Sequence, residues 1–142
     1  MCTKVLRHSK IKVEQNKRKA IFNNTNREEF EVSEIDGCVV KEGIRCDNLV
    51  SNGDNSVLIE LKGGDVNHAC NQLFQTASHN KVIPLFRQKV GFLVICSQYP
   101  RFDTAVRKAK DRAAMEFGSG FHVVCNKGEF DLENVVKISG PR

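Results

Sequence analysis

Residues 90–96, Val-Gly-Phe-Leu-Val-Ile-Cys, make a nearly continuous apolar run of strand length, the pattern of a central strand covered on both faces. On its N-terminal side, Ala69, Cys70, Leu73, Phe74 and Ala77 recur at helical spacing and form one apolar stripe. Asp65 is placed to cap that helix, which the pattern extends to about Ser78. Past the strand, Ser97-Gln98-Tyr99-Pro100 breaks the chain, and Phe102, Val106, Ala109, Ala113 and Phe117 predict a second amphipathic helix. Gly118-Ser119-Gly120 ends it, and Phe121 to Cys125 reads as a last short strand.

The first half has strand periodicity instead. Residues 29–35 alternate apolar and polar after the turn-rich Asn23-Asn24-Thr25-Asn26. Asp36-Gly37 suits a turn or bulge, and Cys38-Val39-Val40 predicts a further short strand before the turn Lys41-Glu42-Gly43. Arg45 to Val50 and Val57 to Lys62 then read as two strands joined by a polar turn, Ser51 to Ser56. Residues 1–19 scatter Val5, Leu6, Ile11 and Val13 among lysines, compatible with an edge strand or a short helix, and from Glu133 onward no pattern assigns an element. An antiparallel meander followed by helix, buried strand, helix and strand predicts an α/β fold (α+β mixed sheet) with helices packed on the sheet.

A chain of 142 residues suggests one domain. No apolar run reaches the length of a membrane span, and the basic N-terminus lacks the apolar core of a signal peptide. Six cysteines without a C-x-x-C pair read as reduced thiols, and with them the expected location is cytoplasmic. A zinc site using Cys38, Cys46 and a histidine is a minor alternative. The net charge of +5 is unevenly placed: residues 1–19 hold seven lysines and arginines against Glu14 alone, leaving the remainder slightly acidic. This divides the chain into a basic N-terminal arm, 1–19, and a single domain, 20–142. Lys10, Lys12, Lys17, Arg18 and Lys19 of the arm, with Arg45, are candidates for contact with a phosphate backbone; a solvated terminus is the plainer explanation of the same charge. The second predicted helix carries Arg107, Lys108, Lys110 and Arg112 on its outer face, with Arg101 just before it.

The candidate chemistry lies in the two strands of the meander. In a strand Glu60 and Lys62 share a face, and Asp47 stands thirteen positions earlier, where antiparallel pairing would bring the two carboxylates together. Gly63-Gly64 follows at once and leaves space beside them. Two carboxylates suit a hard cation such as Mg2+, and a neighbouring lysine can act on water or on a phosphate. Asp47, then Glu60-Leu61-Lys62, then a helix bearing Gln72, resembles the active-site pattern of the PD-(D/E)XK nuclease superfamily. The wider run Asp36-Gly37-Cys38, Arg45-Cys46-Asp47, Glu60-Leu61-Lys62-Gly63, His68-Ala69 and Gln72-Leu73 is similar to small stand-alone bacterial members. Cys46 stands where the pattern has proline.

The resemblance implies a restriction-endonuclease-like core with further C-terminal strands and a site hydrolysing DNA. Asp47, Glu60 and the Leu61 carbonyl would hold Mg2+, with Mn2+ as a substitute. Lys62 would act on the water, and Gln72 would approach the catalytic groups. It also implies a further acidic residue, for which Glu28 and Glu34 are candidates. A homodimer is the natural way to cut both strands of a duplex, and a protein partner that controls the site is a further expectation. The alternative is a nuclease-like fold that binds nucleic acid or protein without cutting.

Overall fold

The computed structural model describes residues 2–43, 45–61, 65–97 and 104–140. A six-stranded mixed sheet forms its centre, in the order β1 (Thr3–Leu6), β4 (Phe30–Glu34), β5 (Asn48–Asn52), β6 (Asn55–Glu60), β7 (Lys89–Cys96), β8 (Phe121–Cys125). Pairing is antiparallel from β1 through β6, then parallel across β7 and β8. Helices α1 (Val66–Ala77) and α2 (Thr104–Phe117) make the two parallel connections. A second sheet, in the order β2 (Lys10–Gln15), β3 (Arg18–Asn23), β9 (Lys127–Phe130), is joined by the short helix α3 (Leu132–Val135).

Alternation along the central strands separates two cores. Leu49, Leu58, Phe92, Val94 and Cys96 face α1 and α2 and pack with Ala69, Leu73, Phe74, Val106 and Ala113. Val50, Val57, Ile59, Leu93 and Ile95 face the opposite way and pack with Ile11, Phe22, Phe130 and Val135. Both faces of β6 and β7 are therefore covered, which is why their sequences are apolar at successive positions. On the helix side, Phe74 meets Phe92 at 5.0 Å and Phe121 at 5.5 Å between ring centroids. Each such pair contributes about 0.5–1.5 kcal/mol beyond the area it buries.

The expected strand at 29–35, the helix capped by Asp65, the buried strand at 90–96, the second helix and the strand at 121–125 are all present. Asp65 accepts from the His68 amide at 3.0 Å, as a capping side chain should. Four expectations are corrected. The stretch 1–19 is not an arm: it forms β1 at the sheet edge and β2 with the start of β3, a hairpin turning through Asn16 and Lys17 at φ 50° and 69°. Ile11 and Val13 alternate with lysines because one face of β2 is core and the other solvent. The polar stretch 51–56 is mostly strand: Ser51 and Ser56 pair across the hairpin, their buried hydroxyls 2.7 Å apart, and only Gly53 and Asp54 turn, with Gly53 at φ 58°. Residues 38–40 form a turn closed by an isolated bridge between Asp36 and Val40, not a strand.

The fourth correction concerns the cysteines. Cys2 and Cys38 form a disulfide, with their Cα atoms 5.6 Å apart, because the pairing of β1 with β4 brings the chain start to the turn after β4. Cys38 is thereby unavailable to zinc, and the cysteines no longer argue for a cytoplasmic location. No helix among the described residues is long and apolar enough to cross a membrane.

Residues 127–140, where no element was foreseen beyond the strand ending at Cys125, close the second sheet and pack against the start of β8. Gly120 is needed there, because a Cβ would lie 2.2 Å from the Lys137 carbonyl oxygen. His122 bonds that same carbonyl through Nε2 at 3.0 Å, and since a carbonyl only accepts, Nε2 carries the proton. Burial, aided by the nearby positive charge of Lys110, lowers the His122 pKa despite this hydrogen bond. The unfolded chain then binds the proton more readily than the folded one. The His122 contribution to stability is complete above the ordinary histidine pKa of about 6.5 and is lost as pH falls below it towards the folded value. Urea unfolding at pH 7 and pH 5 will show a lower midpoint at pH 5, and the drop will be smaller in His122→Gln.

Candidate functional site

The site is set by one register. Asn48 stands opposite Ile59 and Leu49 opposite Leu58, and Asp47, the residue before β5, reaches the end of β6 next to Glu60. Leu49 and Leu58 face the helices, and the period of two puts Glu60 on that face with Leu58, whereas Asp47, just before β5, lines a cleft together with Asn48 and Glu34. Asp47 is fixed from both sides: its amide donates to the Ile59 carbonyl at 3.1 Å, and its carbonyl accepts from Ile35 at 2.9 Å. Its Oδ2 accepts from the Leu61 amide at 2.7 Å, tying the carboxylate to the end of β6. Asp47 is 6% exposed and Glu60 fully buried.

Helix α1 supports this arrangement from below. Gln72 and Thr76, one turn apart, hold the two residues that precede Asp47: Gln72 Nε2 donates to the Arg45 carbonyl at 3.0 Å, and the Cys46 amide donates to Thr76 Oγ1 at 2.8 Å. Thr76 donates in turn to the Gln72 carbonyl at 2.7 Å. Gln72 is buried, and among the described residues its side-chain Oε1 has no hydrogen-bond partner. Burial drives the Cys46 thiol pKa far above its ordinary range, and the negative charges of Glu60 and then Asp47 push it further in the same direction. Both carboxylates therefore act on one sulfur.

Of the expected site residues, Asp47, Glu60 and Leu61 come together, and Gln72 lies beneath them as a structural tie. Lys62 lies outside the described residues, as do Gly63, Gly64 and Arg101. Arg45 donates through Nε to Asp36 Oδ1 at 2.6 Å and through a guanidinium NH to the Gly43 carbonyl, so its role here is to brace the loop. A cleft of about 400 Å3 opens beside Asp47, lined also by Lys4, Glu14, Glu34 and Asp36. Glu34 is thus the candidate acidic residue that shares a cleft with Asp47, whereas Glu28 is not among its lining residues. The sequence places Gln75 or Thr76 on the flank of Gln72 without assigning either a role; the structure selects Thr76, at i, i+4 from Gln72, as the second tie.

The basic residues expected to meet nucleic acid stand mainly on the solvent face of the second sheet. Lys10, Lys12 and Lys19 project there in exposed ion pairs with Glu129, Glu14 and Glu14 respectively. Arg18 donates to the Asn16 carbonyl, and exposed Lys17 sits at the tip of the hairpin. A separate cleft of about 540 Å3 runs between α1 and α2, lined by Asn67, His68, Asn71, Lys108 and Arg112. There Arg112 lies over the Phe74 ring at 4.4 Å while pairing with Glu116, so part of the basic face of α2 is engaged in packing.

The donor chemistry fits a hard cation. Asp47, Glu60 and the Leu61 carbonyl offer oxygen only, and Mg2+ uses one or two carboxylates while retaining several waters. Among the described residues there is no group of three or more His, Cys, Asp and Glu that would form a closed metal cage. The chain matches no protein-family model, no curated protein and no solved structure.

Because the Cys46 amide is buried against Thr76, Thr76→Val will leave a donor without its acceptor and loosen the segment that leads into Asp47. Denaturant unfolding will show a loss of about 1–3 kcal/mol. Ser78→Ala, an exposed change at the helix end, will change stability by less than about 1 kcal/mol.

Proposed function

We propose that this protein is a divalent-metal-dependent nuclease that hydrolyses DNA phosphodiester bonds, with Asp47, Glu60 and Lys62 as its central residues. The observation that carries the reading is that Asp47 reaches the end of β6, its Oδ2 bound to the amide of Leu61, the residue next to Glu60. Asp47, Glu60 and the Leu61 carbonyl offer the oxygen donors that would hold Mg2+ or Mn2+. A bound ion of this kind polarises the scissile phosphate and lowers the pKa of water.

The chain's own groups do the rest. Lys62, next after Leu61, positions the attacking water and offsets negative charge growing on the phosphate. Glu34, in the cleft beside Asp47, is the further acidic residue of the site. The lysines on the second sheet retain DNA: their ion pairs are exposed and worth little, so phosphates can replace the glutamates. Two copies of the chain would cut the two strands of a duplex. A second reading, a nuclease-like module that binds nucleic acid without cutting, is favoured by the complete burial of Glu60.

The two readings part in one experiment. Plasmid, linear duplex, single-stranded and branched DNA are incubated with Mg2+, with Mn2+ and with chelator. Cleavage is expected with either ion and none with chelator. Asp47→Asn, Glu60→Gln and Lys62→Ala will each reduce the rate at least about a hundredfold, with unchanged circular dichroism and retained DNA binding. A Glu60→Gln protein that cuts like the wild type would end the nuclease assignment, and salt-sensitive binding without cleavage would select the module.

A further inference from the structure

Two cysteines outside the candidate site stand in a relation that packing alone does not demand. Cys96 ends β7 and Cys125 ends β8, and the two are opposite one another in the parallel ladder. Their side chains consequently leave the sheet on the same face, and the sulfurs are 3.9 Å apart. Parallel neighbours are spaced by about 4.8 Å, inside the Cα separation of about 4.4–6.8 Å that a disulfide spans. The Asn126 amide donates to the Cys96 carbonyl at 2.7 Å, with Asn126 in the left-handed region at φ 61°, so the backbone on both sides of the pair is pinned. The two sulfurs thus stand in van der Waals contact, a short approach from bonding distance.

The two thiols differ in access. Cys96 is fully buried, and Cys125 is partly exposed. An oxidant from solvent meets Cys125 first and finds Cys96 directly behind it. Cys46 and Cys70, by contrast, are both buried.

We infer that Cys96 and Cys125 form an oxidisable dithiol, a modification site at which a hydroperoxide converts two thiols to a disulfide. The Cys125 thiolate attacks one peroxide oxygen, the O–O bond breaks, and the leaving hydroxide takes a proton to become water. The product at Cys125 is a sulfenic acid. The Cys96 sulfur then attacks the Cys125 sulfur; the S–S bond forms, the S–O bond breaks, and a second water leaves with the Cys96 proton. Two thiols and one hydrogen peroxide give one disulfide and two waters, with the two electrons passing from sulfur to oxygen. The bridge would lie at the end of the central sheet that carries Glu60: Val94 is registered against Glu60, and Cys96 stands two residues further along on the same face.

Peptide mapping of the folded full chain tests this. The protein is exposed to hydrogen peroxide, alkylated with iodoacetamide and digested with trypsin, which separates Cys96 in peptide 90–101 from Cys125 in peptide 113–127. The expected result is a cross-link between these two peptides, reversed by dithiothreitol and absent before peroxide. In Cys125→Ser the cross-link disappears, while the Cys2 to Cys38 bridge remains. Sulfinic or sulfonic acid at Cys125 with Cys96 still alkylated, or a bridge from either cysteine to Cys46 or Cys70, would overturn the assignment.

Discussion

The pairing of β5 with β6 is the constraint on which the site depends. With Asn48 opposite Ile59, Leu49 and Leu58 face the helices, and the chain just before β5 brings Asp47 to the end of β6, where its Oδ2 meets the Leu61 amide. A slip of one residue would turn Leu58 towards the second sheet and take Asp47 away from the Leu61 amide. Both cores oppose that slip, because β6 is buried on both sides. The Ser51 and Ser56 hydroxyls add a polar check: their mutual hydrogen bond, buried at the hairpin end, exists only in this register. Hydrophobic packing thus fixes where the charges go.

Placing carboxylates at such a position has an electrostatic cost. Asp47 and Glu60 are both withdrawn from water, and like charges in a buried place call for hydrogen bonds and positive charge nearby. The Leu61 amide supplies a donor to Asp47, and the same bond finishes β6, so one interaction serves the strand end and the acid together. In the proposed nuclease, Lys62 and a divalent ion supply the positive charge. The Cys46 thiol next to Asp47 bears the consequence of this crowding, since neither burial nor two carboxylates tolerate a thiolate.

The elements that were legible in the sequence are those whose burial is decided locally. The stripe of Ala69, Cys70, Leu73, Phe74 and Ala77 and the run at 90–96 each declare a period within one segment, and both appear with nearly the expected bounds. What was not legible depends on remote partners. β9 is short and contains Gly128, and it is a strand because β3, more than a hundred residues earlier, pairs with it in parallel. Cys2 and Cys38 meet only because β1 joins β4 at the sheet edge. The proximity of Asp47 to Glu60 was readable, since a hairpin makes it nearly local. The tie from α1 was only half readable: Gln72 was noticed for its side chain, but its partner, the Arg45 carbonyl, carries no sequence signal.

The same distinction alters how the basic N-terminal stretch works. As an arm, its lysines would lose chain entropy when they followed a phosphate backbone. As β2 and β3, the stretch is ordered before anything binds. Ile11, Val13, Ala20 and Phe22 anchor its inner face in the core, and Lys10, Lys12 and Lys19 are presented outward in a fixed row. The hairpin also reaches the candidate site, because Glu14 and Gln15 line the cleft that contains Asp47. A polyanion held along the outer lysines would therefore run past the rim of that cleft, with Lys17 at the turn between the two surfaces. Charge that reads in the sequence as a loose tail is, in the fold, held on a rigid surface beside the cleft that contains Asp47, where the proposed nuclease would use it.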